Sequence, residues 1–264
     1  MTAGVLFALA ALLLPSPPST VAATYTSLEH ALQSPDTATQ LVLAENSPDV
    51  QHLDARLGTL GQLQVLRIQC MEALEDLPAT IGNLTRLEQL VIDNGNGCVM
   101  NVALPESLGQ LSNLKVLVLY GALDPRDGNA PVPPERIKRL PESLGRLERL
   151  EVLNLARNGL RTVPPQVAGL KNLRVLRLEY NDLATVPDFV GLLDNLQELS
   201  LSSNGKGLRL PDTLARLKGL KVELGNGSLS LREQDALRAR FPEIVFSFDN
   251  EYDDAAANED AAQP

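Results

Sequence analysis

Leucines alternate with polar residues in short runs along the chain. In the run "LRVLRLEYN", which begins at Leu173, leucines also stand at Leu176 and Leu178. Residues two apart in an extended strand share one face, while the residue between them points to the other face. This spacing predicts short strands with one buried face.

The run recurs at a regular interval. Copies start at residues 38, 63, 87, 114, 150, 173, 196 and 220, mostly 23 to 27 residues apart. A second shared segment lies between them, such as "LPESLG" at Leu104 and Leu140. Its proline suits the first turn of a short helix or 3₁₀ segment. Since one unit cannot bury its own apolar face, the units are expected to stack into a solenoid with a parallel sheet.

These residues resemble the leucine-rich repeat family, in its variety with a Leu-Pro-x-x-Ile-Gly-x-Leu segment. The match covers residues 38–224 in about eight units. The resemblance implies an α/β fold, a leucine-rich repeat solenoid shaped as a horseshoe. Its parallel β-sheet would be concave, and its convex side would carry short helical or 3₁₀ segments. The family most often binds proteins.

The ends of the chain differ from the repeats. Residues 1–23 carry no charge and include an apolar run at 5–14 that is too short to span a bilayer. We expect a signal peptide, cleaved before Thr24, and hence a secreted or periplasmic protein. The alternative is an apolar arm packed on the fold, since no Lys or Arg precedes the run. Residues 24–37 predict a helical cap with Ser27 as N-cap. Residues 225–248 predict a C-terminal cap made of a helix and a closing strand. Residues 249–264 predict an acidic, disordered tail.

Cys70 and Cys98 lie in adjacent units. Neighbouring strands are about 4.8 Å apart, within the roughly 4.4–6.8 Å between Cα atoms that a disulfide needs. The unit from Leu87 is long enough for Cys98 to fold back beside Cys70. We therefore expect a disulfide, conditional on export. Two free thiols remain an alternative, and a metal contact is disfavoured without further ligands.

Charge and motifs argue against several functions. The net charge of −10 disfavours nucleic acid and anionic membranes as partners. No G-x-S-x-G, H-E-x-x-H or Walker pattern occurs, and the glycine-rich turn at 94–98 lacks the order of a phosphate loop. His30 and His52 are interpreted as surface or cap residues. We predict no catalytic residue, no metal, no cofactor, no transmembrane segment and a monomer.

The resemblance places recognition on the x positions of the strand motif. It implies a middle row, consisting of Arg67, Val91, Val118, Asn154, Arg177 and Ser200. It also implies an outer row, consisting of Gln69, Asp93, Tyr120, Ala156, Glu179 and Ser202, with Arg157 and Tyr180 just beyond.

Tyr and Arg dominate the energetics of interfaces, so we predict a binding patch of Tyr120, Arg157, Arg177 and Tyr180. Arg67, Asp93, Asn154 and Glu179 extend this candidate face, although an ordinary solvated sheet face is the alternative. A structural ladder is predicted as well, because the same position recurs in Asn158, Asn181 and Asn204. Their amides can satisfy backbone groups buried by the tight turn.

The sequence therefore predicts a non-enzymatic, exported module that binds a protein or peptide. A structural spacer or surface coat is the alternative. A fragment of a repeat-containing effector enzyme is less favoured, because the roughly forty residues after Leu224 are too few for a catalytic domain. The unit from Leu114 carries an insertion at 121–139, rich in Pro and Gly. This insertion would be an exposed loop, either overhanging the patch or tolerated without a role.

Overall fold

The computed structural model describes residues 23–44, 50–94, 98–124, 139–205, 207–225 and 229–248. Strands within these residues form one ten-stranded parallel sheet in chain order. They are β1 (Ala23–Tyr25), β2 (Ala38–Leu43), β3 (Val65–Gln69), β4 (Gln89–Asp93), β5 (Val116–Tyr120), β6 (Val152–Asn154), β7 (Val175–Arg177), β8 (Glu198–Ser200), β9 (Lys221–Glu223) and β10 (Val245–Ser247). The sheet is open, and the predicted leucine-rich repeat horseshoe is confirmed.

The leucines of successive strands stack in register. Leu153 of β6 lies beside Leu176 of β7, which lies beside Leu199 of β8, and all three are fully or almost fully buried. Burying one such side chain contributes roughly 1.5–3 kcal/mol. Each layer is closed only by the layers on either side of it. The core is therefore a continuous aliphatic stack rather than one compact centre.

Short 3₁₀ segments connect the strands on the convex side. Those in the described residues are Ala55–Thr59, Ala79–Asn83, Glu106–Gln110, Glu142–Arg146, Pro165–Gly169, Asp188–Leu192 and Asp212–Arg216. The motif proline mostly occupies the N-cap, one residue before the first turn in which it was predicted. The glycine allows close stacking, since a Cβ on Gly169 would lie 2.4 Å from the carbonyl oxygen of Gly145.

An acidic residue at the start of one convex segment bridges to the next. The Glu106 carboxylate accepts hydrogen bonds from the backbone N–H groups of Glu142 (2.9 Å) and Ser143 (3.0 Å). The Ser143 hydroxyl donates to the Glu106 carbonyl at 2.6 Å. The two backbone bonds to the carboxylate, that from the Ser143 N–H foremost, lower the pKa of Glu106. The acid thus caps backbone N–H groups at the start of the following unit.

The N-terminal cap holds a strand that was not predicted. Strand β1 pairs with β2 and precedes the helix α1 (Leu28–Leu32). Ser27 occupies the N-cap of α1, but its side chain makes no capping hydrogen bond. Ala23, placed in the predicted signal peptide, belongs to β1. The remainder of that peptide, residues 1–22, lies outside the described residues.

The C-terminal cap is a helix, α2 (Leu231–Arg240), followed by β10. A capping box starts α2, in which Ser230 accepts from the N–H of Glu233 and the Glu233 carboxylate accepts from the N–H of Ser230. Phe241 is buried against the last repeats. The acidic segment 249–264 lies outside the described residues. Neither α2 nor any other helix in the described part of the chain is long and apolar enough to cross a membrane.

Candidate binding face

Strand pairing aligns the middle row across the concave face. Arg67 of β3 lies beside Val91 of β4, and Asn154 of β6 lies beside Arg177 of β7. The row extends further than the motif implied, to Val42 in β2, Glu223 in β9 and Ser247 in β10. The complete row is Val42, Arg67, Val91, Val118, Asn154, Arg177, Ser200, Glu223 and Ser247.

The outer row lies nearer the carboxyl ends of the strands. Gln69, Asp93 and Tyr120 are paired in register across β3, β4 and β5. Tyr120 is half-buried. In the later units the strands end earlier, so Ala156 and Glu179 lie two residues beyond the ends of β6 and β7. One strand intervenes between β5, which carries Tyr120, and β7, which carries Arg177, so these two strands are about 10 Å apart.

Arg157 and Tyr180 lie just beyond the ends of the strands. They form a rim of the concave face rather than part of its floor. Both have left-handed backbones, with φ of 58° and 56°. Such a conformation costs a residue other than glycine roughly 1–2 kcal/mol. The Arg157 N–H donates to Glu179 and the Tyr180 N–H to Ser202, so the rim is fixed by pairing with the next unit. Tyr180 is 43% exposed. The proposed patch therefore consists of two floor residues, Tyr120 and Arg177, and two rim residues.

A strip of valines crosses the same floor. The valine strip consists of Val65, Val91, Val116, Val118, Val152 and Val175. Because these residues alternate with the core leucines, they face the concave side. Val91 and Val175 are only 8% and 4% exposed, and the other four are half-buried. Two of these valines, Val91 and Val118, belong to the predicted middle row. The strip itself was not predicted, although valine between leucines in consecutive strands was the available signal.

A depression of about 290 Å³ overlaps the end of the strip at Val175 and extends from β7 to β10. Arg177, Glu198, Ser200 and Lys221 contribute to its lining. The Ser200 hydroxyl donates to the Glu223 carboxylate at 2.8 Å, and Lys221 pairs with Glu198 at 3.6 Å. Polar side chains are thus already paired over much of this end of the face.

Glu179 is a partly buried member of the outer row. Burial raises the pKa of its carboxyl, against the opposing influence of a hydrogen bond from its own backbone and of the nearby Arg177 guanidinium. Desolvation disfavours the charged carboxylate, and these partners compensate for it only in part. The folded state therefore binds a proton at Glu179 more readily than the unfolded chain does.

Replacing Glu179 with Gln should raise the thermal midpoint at neutral pH. The pKa of Glu179 is higher in the folded protein than in the unfolded chain, where it is about 4.3. Its contribution to the free energy of unfolding is therefore most favourable below the unfolded pKa and is lost as the pH rises through the folded pKa. Glutamine has no charge to desolvate, so its advantage should appear at pH 7 and vanish near pH 3. Melting curves of both proteins from pH 3 to 8 measure this. A constant difference at every pH would contradict the argument.

The predicted disulfide between Cys70 and Cys98 is present. The two Cα atoms are 5.5 Å apart, and 28 positions separate the residues in sequence. Cys70 itself has a left-handed backbone, with φ of 52°, and its N–H donates to Asp93. The bond joins the turn after β3 to the turn after β4. Residues 95–97 of the glycine-rich turn lie outside the described part of the chain.

The recurring asparagines bond the backbone of neighbouring units. The Asn181 amide donates to the carbonyls of Leu155 and Leu178, and its oxygen accepts from the N–H groups of Asn158 and Leu160. Asn158 and Asn204 make similar contacts. The side chains therefore satisfy backbone groups that the turns bury.

The histidines lie away from this face. His52 Nδ1 is 2.9 Å from an Asp76 carboxylate oxygen, and His30 is exposed in α1. Over the described ranges, no group of three or more His, Cys, Asp or Glu side chains is arranged to hold a metal ion.

A family model described as "Leucine-rich repeat region" matches residues 133–237. The match covers the later repeats and the start of the C-terminal cap, and the ten-stranded open sheet extends the same architecture to the N-terminal cap. The chain is a leucine-rich repeat protein. No curated protein matches it by sequence.

Solved structures share the fold of this leucine-rich repeat protein. An internalin (InlF) from Listeria monocytogenes is 20% identical, with a TM-score of 0.52 over 75% of this chain and 57% of the internalin chain. Human 5T4, also named Wnt-activated inhibitory factor 1 or trophoblast glycoprotein, is 25% identical, with a TM-score of 0.54 over 72% of this chain and 70% of its own. The chain thus spans little more than half of the internalin, and the internalin likeness concerns the fold alone.

Proposed function

We propose that this leucine-rich repeat protein is an exported, non-catalytic module that binds a protein or peptide on its concave face as a monomer. The arrangement of Tyr120 and Arg177 on one rigid parallel sheet, with Tyr180 at its rim, is the observation that carries the proposal. Tyr and Arg are enriched among the residues that contribute most to binding. The register of the hydrogen-bonded strands fixes these side chains relative to one another before a ligand arrives.

Rigidity supports the binding role further. Every strand from β2 to β9 is paired on both sides, and the Asn181 and Asn204 amides join successive turns. A surface that is already ordered loses little conformational entropy on association. Export is supported by the Cys70–Cys98 bond, because structural disulfides persist in oxidising compartments.

Alanine substitution of Arg177 or Tyr180 should weaken binding to a partner by roughly tenfold or more, as expected for interface anchors. The partner would first be cross-linked in an extracellular fraction and identified by mass spectrometry, and its affinity would then be measured by calorimetry. Arg161→Ala is the matched control, since Arg161 is an exposed arginine of a neighbouring turn outside the sheet. Equal affinities for all three variants and the wild type would exclude the patch. The absence of any partner would favour a spacer role.

A further inference from the structure

Two arginines stand at opposite ends of the valine strip. Arg67 lies on β3 and Arg177 on β7, both in the middle row. Four strand spacings separate them, or about 19 Å. Between them the row contains Val91, Val118 and Asn154.

Within the described part of the chain, the guanidinium groups of Arg67 and Arg177 form no hydrogen bond or ion pair. By contrast, Lys115 pairs with Glu88 at 3.0 Å just before β5 and β4. Asp93 is a diagonal neighbour of Arg67, and Glu179 attracts Arg177 without forming an ion pair. A guanidinium has five donors in a planar fork, which suits two-point contact with a carboxylate. Both arginines therefore retain donors for an external anion.

The concave surface between the two arginines is apolar and shallow. Valine side chains are short and stiff about χ1, so the strip offers an even surface rather than a deep pocket. Gln89 and Asn154 are the polar residues within it. Such a floor fits the aliphatic side chains of an extended chain laid across the strands.

We propose that the valine strip binds an extended peptide with an aliphatic centre and an acidic residue at each end. This inference rests on the proposed function. An extended chain advances about 3.3 Å per residue, so acids six positions apart match the separation of Arg67 and Arg177. The peptide crosses β3 to β7, with its central side chains on Val91, Val116 and Val118.

The chain itself contains a competing occupant. Segment 249–264 holds six acids and no base, and Asp254 and Glu259 flank the sequence Ala-Ala-Ala-Asn. This segment follows β10 in sequence and lies outside the described residues. Its occupation of the strip is an alternative that the experiment must detect.

The probe is the synthetic peptide acetyl-Glu-Ala-Val-Leu-Val-Ala-Glu-amide, titrated into the full chain by calorimetry at low salt. Replacing both glutamates of the probe with glutamine should weaken binding at least tenfold. Arg67→Gln and Arg177→Gln should each weaken it about fivefold, an effect of roughly 1 kcal/mol. Arg161→Gln should leave the affinity unchanged.

A double-mutant cycle then assigns each end. Arg67→Gln should have no effect on a probe in which one of the two glutamates is replaced with glutamine, and Arg177→Gln should have no effect on a probe in which the other is replaced. The pairing that results also fixes the orientation of the peptide. Equal affinity of the all-glutamine probe, or equal loss with Arg161→Gln, would overturn the proposal. So would binding seen only after the acids of 249–264 are replaced by amides, because that result assigns the strip to the chain's own segment. A probe that fails to bind, while Arg177→Ala and Tyr180→Ala still weaken the natural partner, would overturn this inference and leave the proposed function intact.

Discussion

Replacing both Cys70 and Cys98 with serine should lower the free energy of unfolding by about 3–4 kcal/mol. The bond closes a loop with a sequence separation of 28, so its loss returns conformational entropy to the unfolded chain. It also joins two consecutive turns, at Cys70 beside Asp93 and at Cys98 beside Asn94. Its loss should therefore loosen the turns that follow β3 and β4.

Urea unfolding of the full chain, with and without reductant, measures this effect. The wild type under reductant should approach the double serine variant, and the variant itself should not respond to reductant. Mass spectrometry of the non-reduced protein would establish the Cys70–Cys98 linkage independently. A wild type that matches the variant in both conditions would show that the bond contributes nothing to stability.

The repeat architecture was predictable because each unit repeats the same pattern of buried leucines. A leucine pair such as Leu176 and Leu178 buries one face of a strand, and eight recurrences leave a stacked sheet as the consistent solution. The cap strand β1 was missed, since its three residues carry no repeat pattern and its identity as a strand depends on pairing with β2.

The candidate face was predictable only in part. Motif positions gave the rows, and the strand register places the middle row as one line. The left-handed backbones of Arg157 and Tyr180 were not predictable, because neither residue type favours that conformation. Gly121, which has φ of 58° at the equivalent position, was the available hint. The burial that raises the pKa of Glu179 also depends on neighbouring units rather than on local sequence.

Replacing Asn181 with leucine should destabilise the fold by about 4 kcal/mol, near the upper end for a single substitution. Asn181 is only 5% exposed. Its oxygen accepts two backbone N–H groups at 3.0 Å, and its amide nitrogen donates to the carbonyls of Leu155 at 3.0 Å and Leu178 at 2.9 Å. Leucine has a similar volume but can bond none of them. Three buried backbone groups would then lose their hydrogen-bond partner, while the Leu178 carbonyl would keep its bond from the Asn204 amide.

Asn195→Leu is the matched control for this substitution. Asn195 is exposed, and its amide makes one hydrogen bond, to the carbonyl of Lys171 at 2.8 Å. Because water can replace that partner, the control should cost about 1 kcal/mol or less. Urea unfolding of both variants, with hydrogen exchange at the N–H groups of Asn158 and Leu160, separates the two cases. Equal destabilisation by both variants would mean that the turns obtain their hydrogen bonds elsewhere. A large loss confined to Asn181→Leu, with faster exchange at those two groups, would show that one side chain per unit holds consecutive turns in register.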